Sequence, residues 1–218
     1  MNSVTVAAAW LAYVIGLIAG GALNDPASLA IGATAGAVLV IVGYAAASRT
    51  RTISNSPNRF RLGAAALAAG AGLGLANLAA NWLIASAHPA LRYLLVQRMT
   101  TLDPIVAVVA APLGEEVTFR LFLMSALAWM VSRFTSNRSV VFVAALLGSS
   151  VVFALMHLGR AAPPDPELAL FYRASLVAKY TLAGLPLGWI FWRWGLPYAV
   201  VCHAASNAAH LIAQRFVF

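Results

Sequence analysis

Long apolar runs, broken only by short polar turns, constrain this chain more than any other feature. About 20 apolar residues carry a helix across the hydrocarbon core of a bilayer. Seven segments reach or approach that length: about 4–23, 28–47, 62–87, 105–130, 139–158, 174–192 and 196–218. Inside lipid every backbone polar group must be satisfied within the structure, which leaves helices and closed barrels. None of the segments alternates apolar and polar residues as barrel strands do. The expectation is an all-α polytopic transmembrane helix bundle of about seven spans (six to eight), a single membrane domain over 1–218. Composition agrees, because 62% of the 218 residues are hydrophobic and only 9% are charged. A soluble fold of this size could not cover so much apolar surface.

Turn-forming residues separate the segments. Asn24-Asp25-Pro26 makes the first turn, Arg49 to Arg61 the second, and Ala161 to Glu167, with three prolines, the longest late interruption. Between His88-Pro89 and Asp103-Pro104, Leu91, Leu94 and Leu95 oppose Arg92 and Arg98, a pattern that predicts a short interfacial helix. Val4 to Leu23 follows no basic residue and is long enough to span, so it reads as a retained helix rather than a cleaved signal. The third span holds Gly63, Gly70, Gly72 and Gly74, small residues that allow close helix packing.

The net charge of +8 comes almost wholly from arginines between the spans. They form no basic face with aromatic platforms, so no nucleic acid is expected as a partner. Their place fits membrane anchoring and contact with anionic lipid. With seven spans, one side holds Arg49, Arg51, Arg59, Arg61, Arg133, Arg138 and Arg193, and the other Arg92, Arg98, Arg160, Arg173 and Arg215. The excess points to a cytoplasmic N-terminus for a multi-pass protein of the cell (inner) membrane. A single cysteine, Cys202, excludes an intrachain disulfide.

Only six acidic residues occur, and four of them, Asp25, Asp103, Asp165 and Glu167, lie in turns or at span ends. The other two are adjacent, Glu115-Glu116, near the middle of the fourth span. Ionisable groups at that depth cost at least about 2.5 kcal/mol each and by default mark function. Glu116 and Arg120 are four residues apart, on one helix face, and are expected to pair. Glu115 points about 100° away. It is free to face a cavity, where a desolvated carboxylate can take a proton from water. Pro112 and Gly114 loosen the helix just upstream.

Three histidines fall inside spans. His157 ends the fifth, and His203 and His210 lie in the seventh, with Asn207 on the face of His203. His210 reads as a packing residue. Glu115, His157, His203 and Asn207 together supply a base, two imidazoles and an amide, an inventory suited to water-mediated acyl transfer. Glu115, His157 and His203 could also hold zinc with an open fourth position. No HExxH helix is present, so a metal is permitted rather than indicated, and no cofactor is required. With straight spans, His157 and His203 would differ in depth by more than about 10 Å.

The three clusters resemble the motifs of the CAAX-protease and bacteriocin-processing family of intramembrane endopeptidases. Glu115-Glu116-Val117-Thr118-Phe119-Arg120 is similar to its EExxxR motif, Phe153-Ala154-Leu155-Met156-His157 to its FxxxH motif, and His203-Ala204-Ala205-Ser206-Asn207 to its HxxxN motif, in the family's order. The resemblance implies an endopeptidase acting on a protein or peptide substrate within the membrane. It implies that Glu115 activates water, His157 and His203 assist, and Asn207 helps to form the oxyanion site, with Glu116, Arg120 and Phe153 in support. Residues 105–218 then form the motif-bearing catalytic core, and 1–104 the scaffold and substrate-access helices.

Other readings remain. A rhomboid-type serine protease would need more than Gly148-Ser149-Ser150, and Cys202 shows no activating neighbour. A non-catalytic membrane protein, either an immunity or scaffold protein or a proton-coupled carrier using Glu, His and Lys179, would not need the three motifs at these spacings. Lys179 itself reads as snorkelling or pairing.

Overall fold

The structure, a computed structural model, describes residues 26–50, 59–101, 106–159 and 162–217. The expected first span, 4–23, lies outside these residues, as do most of the Arg49–Arg61 turn and the Asp103-Pro104 pair. Among the described residues the chain is all helical, with no strand. The helices are α1 (Pro26–Thr50), α2 (Arg59–Ala87), α3 (Arg92–Thr101), α4 (106–131), α5 (Arg138–Leu155), α6 (Pro166–Trp194) and α7 (Leu196–Val217). A short 3₁₀ turn, Pro89–Leu91, leads into α3, and another, Met156–Leu158, extends α5.

Local chemistry explains several boundaries. Asn137 Oδ1 accepts from the amides of Ser139 and Val140 and so caps α5. Asp165 Oδ1 accepts from Leu168 N at 2.7 Å, with Pro166 at the first helical position. This cap starts α6 at Pro166 rather than 174, so the sequence expectation was too short at that end. Gly195, at φ 99°, ends α6 in a conformation that side chains other than glycine's rarely adopt, and α7 begins at the next residue.

Three helices are long and apolar enough to cross a membrane: Arg59–Ala87, Arg138–Leu158 and Pro166–Trp194. The apolar part of α1, Ala33–Ser48, is shorter. Three of the expected spans meet the length and apolarity of a membrane crossing among the described residues. The other long elements, α4 and α7, carry the charged and polar motif residues. Large apolar side chains such as Leu75, Leu83, Leu147, Leu182 and Ile212 point outward, as lipid-facing residues do.

The principal pairings are α2 with α7, α5 with α6, and α1 with α4. Because lipid is as apolar as leucine, such pairs hold by close packing rather than by water exclusion. A Cβ on Gly70 would strike the carbonyl of Cys202, and one on Gly74 the carbonyl of Ser206. The backbones of α2 and α7 therefore touch, running in the same direction. Gly63 and Gly72 have open space beside them, so only two of the four glycines make the close packing expected of the set. Gly184 meets Ser150 and Gly188 meets Leu146, which sets α5 and α6 antiparallel. The main core gathers Val117, Leu121, Met124, Leu187, Phe191 and Cys202, and a smaller one joins Leu91 and Leu95 to Tyr172 and Leu176.

These directions put the starts of α2, α5 and α7 at one end of the bundle. Arg59, Arg61, Arg133, Arg138 and Arg193 lie there, with no acidic residue among the described ones. Asp165 and Glu167 lie at the other end, at the start of α6.

Candidate active site

The fourth helix is not a regular one. A wide π stretch, Val106–Ala110, precedes the α segment Ala111–Glu116, and a second, Val117–Met124, follows it before α geometry resumes at Ser125–Val131. Pro112 has no amide hydrogen to continue the ladder, and Thr118 Oγ1 donates to the carbonyl of Gly114 at 2.9 Å. Interrupted helices of this kind concentrate at functional sites. The two glutamates sit between the π stretches.

Their environments differ sharply. The Glu116 side chain is 0% exposed, with Arg120 Nε 3.3 Å from its Oε2 and His203 Nδ1 2.9 Å from its Oε1. The expected Glu116–Arg120 pair is present, and it has a further partner in His203 that helical spacing does not reveal. Arg120 is equally buried, and its guanidinium carbon lies 5.3 Å from the centre of the Phe153 ring, a cation–π contact. Glu115, by contrast, is 31% exposed, and its Oε2 stands 3.7 Å from His203 Nε2. It lines a pocket of about 100 Å³ with His157, His203, Asn207, Phe153 and Tyr180. All four residues expected to do the chemistry thus border one cavity.

Each imidazole is oriented through Nδ1. A carboxylate paired with arginine accepts, so His203 Nδ1–H donates to Glu116 and leaves Nε2 towards Glu115. His157 Nδ1 donates to the carbonyl of Phe153 at 2.7 Å, and its ring stacks on Tyr180 with centroids 4.0 Å apart and planes at 22°. The Phe153 ring contacts both imidazoles, at 4.6 Å from His157 and 6.2 Å from His203. The large depth difference expected from straight spans is therefore absent. Gly195 is buried, and α7 begins at the residue after it.

Asn207 Nδ2 donates to the carbonyl of Ala107 at 2.7 Å, tying α7 to the first π stretch of α4. His210 is buried one turn further on and does not line the pocket. Lys179 donates to Asn81 Oδ1 at 2.7 Å, the pairing alternative of the sequence reading. Ser149, Ser150 and Cys202 are buried away from the pocket, so none is placed as its nucleophile. Two polar pocket residues outside the motifs escaped sequence reasoning, Tyr180 and Asn77. Tyr180 had no motif around it, but Asn77, one of two amides with Asn81 in a largely apolar span, was a signal to follow. Among the described residues no group of three His, Cys, Asp or Glu side chains is placed to hold a metal ion.

Apolar helices thus enclose carboxylates, imidazoles and an amide in one pocket, an inventory suited to an intramembrane hydrolase. Residues 97–209 match the family described as type II CAAX prenyl endopeptidase Rce1-like, and the chain belongs to it. The match covers just over half of the chain and all three motifs. It makes the protein an integral membrane protease of the CAAX type in general, with a protein or peptide substrate. No curated protein and no solved structure matches the chain.

Proposed function

We propose that Glu115 is the general base of a metal-independent intramembrane endopeptidase. The observation that carries this is the division of labour between adjacent carboxylates: Glu116 is closed off by Arg120 and His203, and Glu115 alone is open to the pocket. Water beside Glu115 gives its proton to the carboxylate as its oxygen bonds to the scissile carbonyl carbon. The carbonyl oxygen becomes an oxyanion; Asn207 is the neighbouring amide able to donate to it, and a histidine donates through Nε2 once its ring is protonated. Collapse of this intermediate breaks the C–N bond, and the proton held by Glu115 passes to the departing amine.

His203 is held for this role by Glu116, and His157 by Phe153 and Tyr180. Helices before residue 105 act as walls and substrate access, with α2 supplying Leu73 and Asn77 to the pocket. The arginine-only end is the one that the positive-inside rule assigns to the cytoplasm. A prenylated CAAX tail is the substrate class favoured by family membership.

The direct test is cleavage of a fluorogenic farnesylated CAAX peptide by the purified protein in lipid nanodiscs, beside the same peptide without the prenyl group. Glu115→Gln keeps the shape and removes the base, so the rate should fall about 100- to 10,000-fold. A variant that cleaves at the normal rate would sink the assignment.

A further inference from the structure

A second and larger cleft lies at the arginine end of the bundle, where the α4–α5 connection meets the end of α6. Its volume is about 690 Å³, against about 100 Å³ for the pocket around Glu115. Arg138 and Arg193 line it with Ser136 and Ser139, and Trp189 and Trp192 form its apolar side. We propose that this cleft binds the phosphate of an anionic lipid headgroup.

Depth is the first argument. Four of the chain's six tryptophans, Trp129, Trp189, Trp192 and Trp194, sit at this end, with Tyr198 packed edge-on against Trp194. Phe134, at the tip of the α4–α5 connection, is 86% exposed. Aromatic rings collect where hydrocarbon gives way to headgroups, so the cleft opens at the level of lipid phosphates.

Charge is the second. Arg138 and Arg193 are exposed and make no ion pair among the described residues. Among the described residues no carboxylate at this end balances them. The start of α5 does not supply the attraction, because Asn137 already caps the amides of Ser139 and Val140. The arginine side chains do, and a guanidinium donates two parallel hydrogen bonds to phosphate oxygens.

Size is the third. The volume far exceeds a bare phosphate, and the tryptophan side suits the glycerol and first methylenes of a lipid. These features favour a lipid over a soluble anion.

The test compares binding of phosphatidylglycerol and phosphatidylcholine to the purified full-length protein, measured by native mass spectrometry, with inorganic phosphate as competitor. Phosphatidylglycerol should bind in preference. Arg138→Ala and Arg193→Ala should each weaken it roughly five-fold, and the double variant roughly twenty-five-fold. Arg133→Ala removes the same charge from the same end but outside the cleft, and should change binding by well under that factor. Both cleft arginines are exposed, so thermal unfolding of the variants should match the parent. Equal losses in Arg133→Ala and Arg138→Ala would reduce the effect to diffuse charge and overturn the site. Displacement of the lipid by millimolar inorganic phosphate would assign the cleft to a soluble anion instead.

Discussion

The two halves of the pocket hold their histidines by different physics. On one side His203 is locked into a chain of charges, Arg120 to Glu116 to His203, with Glu115 beyond. On the other, His157 is held by one backbone carbonyl and by aromatic faces, Phe153 and Tyr180. The charged half is all-or-none, because removing one member strands another in a medium that cannot solvate it. The aromatic half is graded, since each ring contributes a small share of packing.

That contrast orders the expected effects. The largest belongs to Arg120→Met, which leaves Glu116 without its cation. A loss of about 3–5 kcal/mol of stability is expected, read as a fall in unfolding temperature in detergent together with abolished cleavage. A stably folded Arg120→Met protein would break the claim that the charged half is a unit. Next, His203→Ala should lower cleavage of the farnesylated peptide about 100- to 1,000-fold, the usual cost of one lost stabilising donor. His157→Ala should cost less, and the reverse order would exchange the roles of the two halves. Tyr180→Leu should slow cleavage by a factor of about 2 to 12, the worth of one aromatic stack, with the fold intact. The smallest effect is expected from a chelator: treatment with 1,10-phenanthroline should leave the rate unchanged. Loss of activity that returns with added zinc would replace the general-base mechanism with a metal one.

Legibility in the sequence followed the range of each interaction. Glu116 and Arg120 are on one helix, so their spacing alone announced the pair. Glu115 had to face elsewhere for the same reason. The bond from Glu116 to His203 joins α4 to α7, and the stack of Tyr180 on His157 joins α6 to the end of α5. Neither has a local signature. The all-helical bundle was plain from the apolar runs, whereas the start of α6 was hidden because a cap and a proline, not apolar residues, set it. Helix depth was the hardest quantity to read. It depends on how α5 and α7 pack in three dimensions, which spacing along straight helices cannot anticipate. The glycines of α2 show the same limit: their number advertised close packing, but only contact with α7 separates Gly70 and Gly74 from Gly63 and Gly72.

The touch between those two glycines and α7 has a consequence for genetics. Cys202 and Ser206, whose carbonyls face Gly70 and Gly74, are immediate neighbours of His203 and Asn207. A methyl group added at either glycine must push α7 aside, carrying the imidazole and the amide away from Glu115. Loss-of-function alleles at Gly70 and Gly74 are therefore expected to sort with those at the motif residues, while alanine at Gly63 or Gly72 passes silently. Half of the chain that holds no catalytic motif would then show two positions as intolerant as the catalytic centre itself.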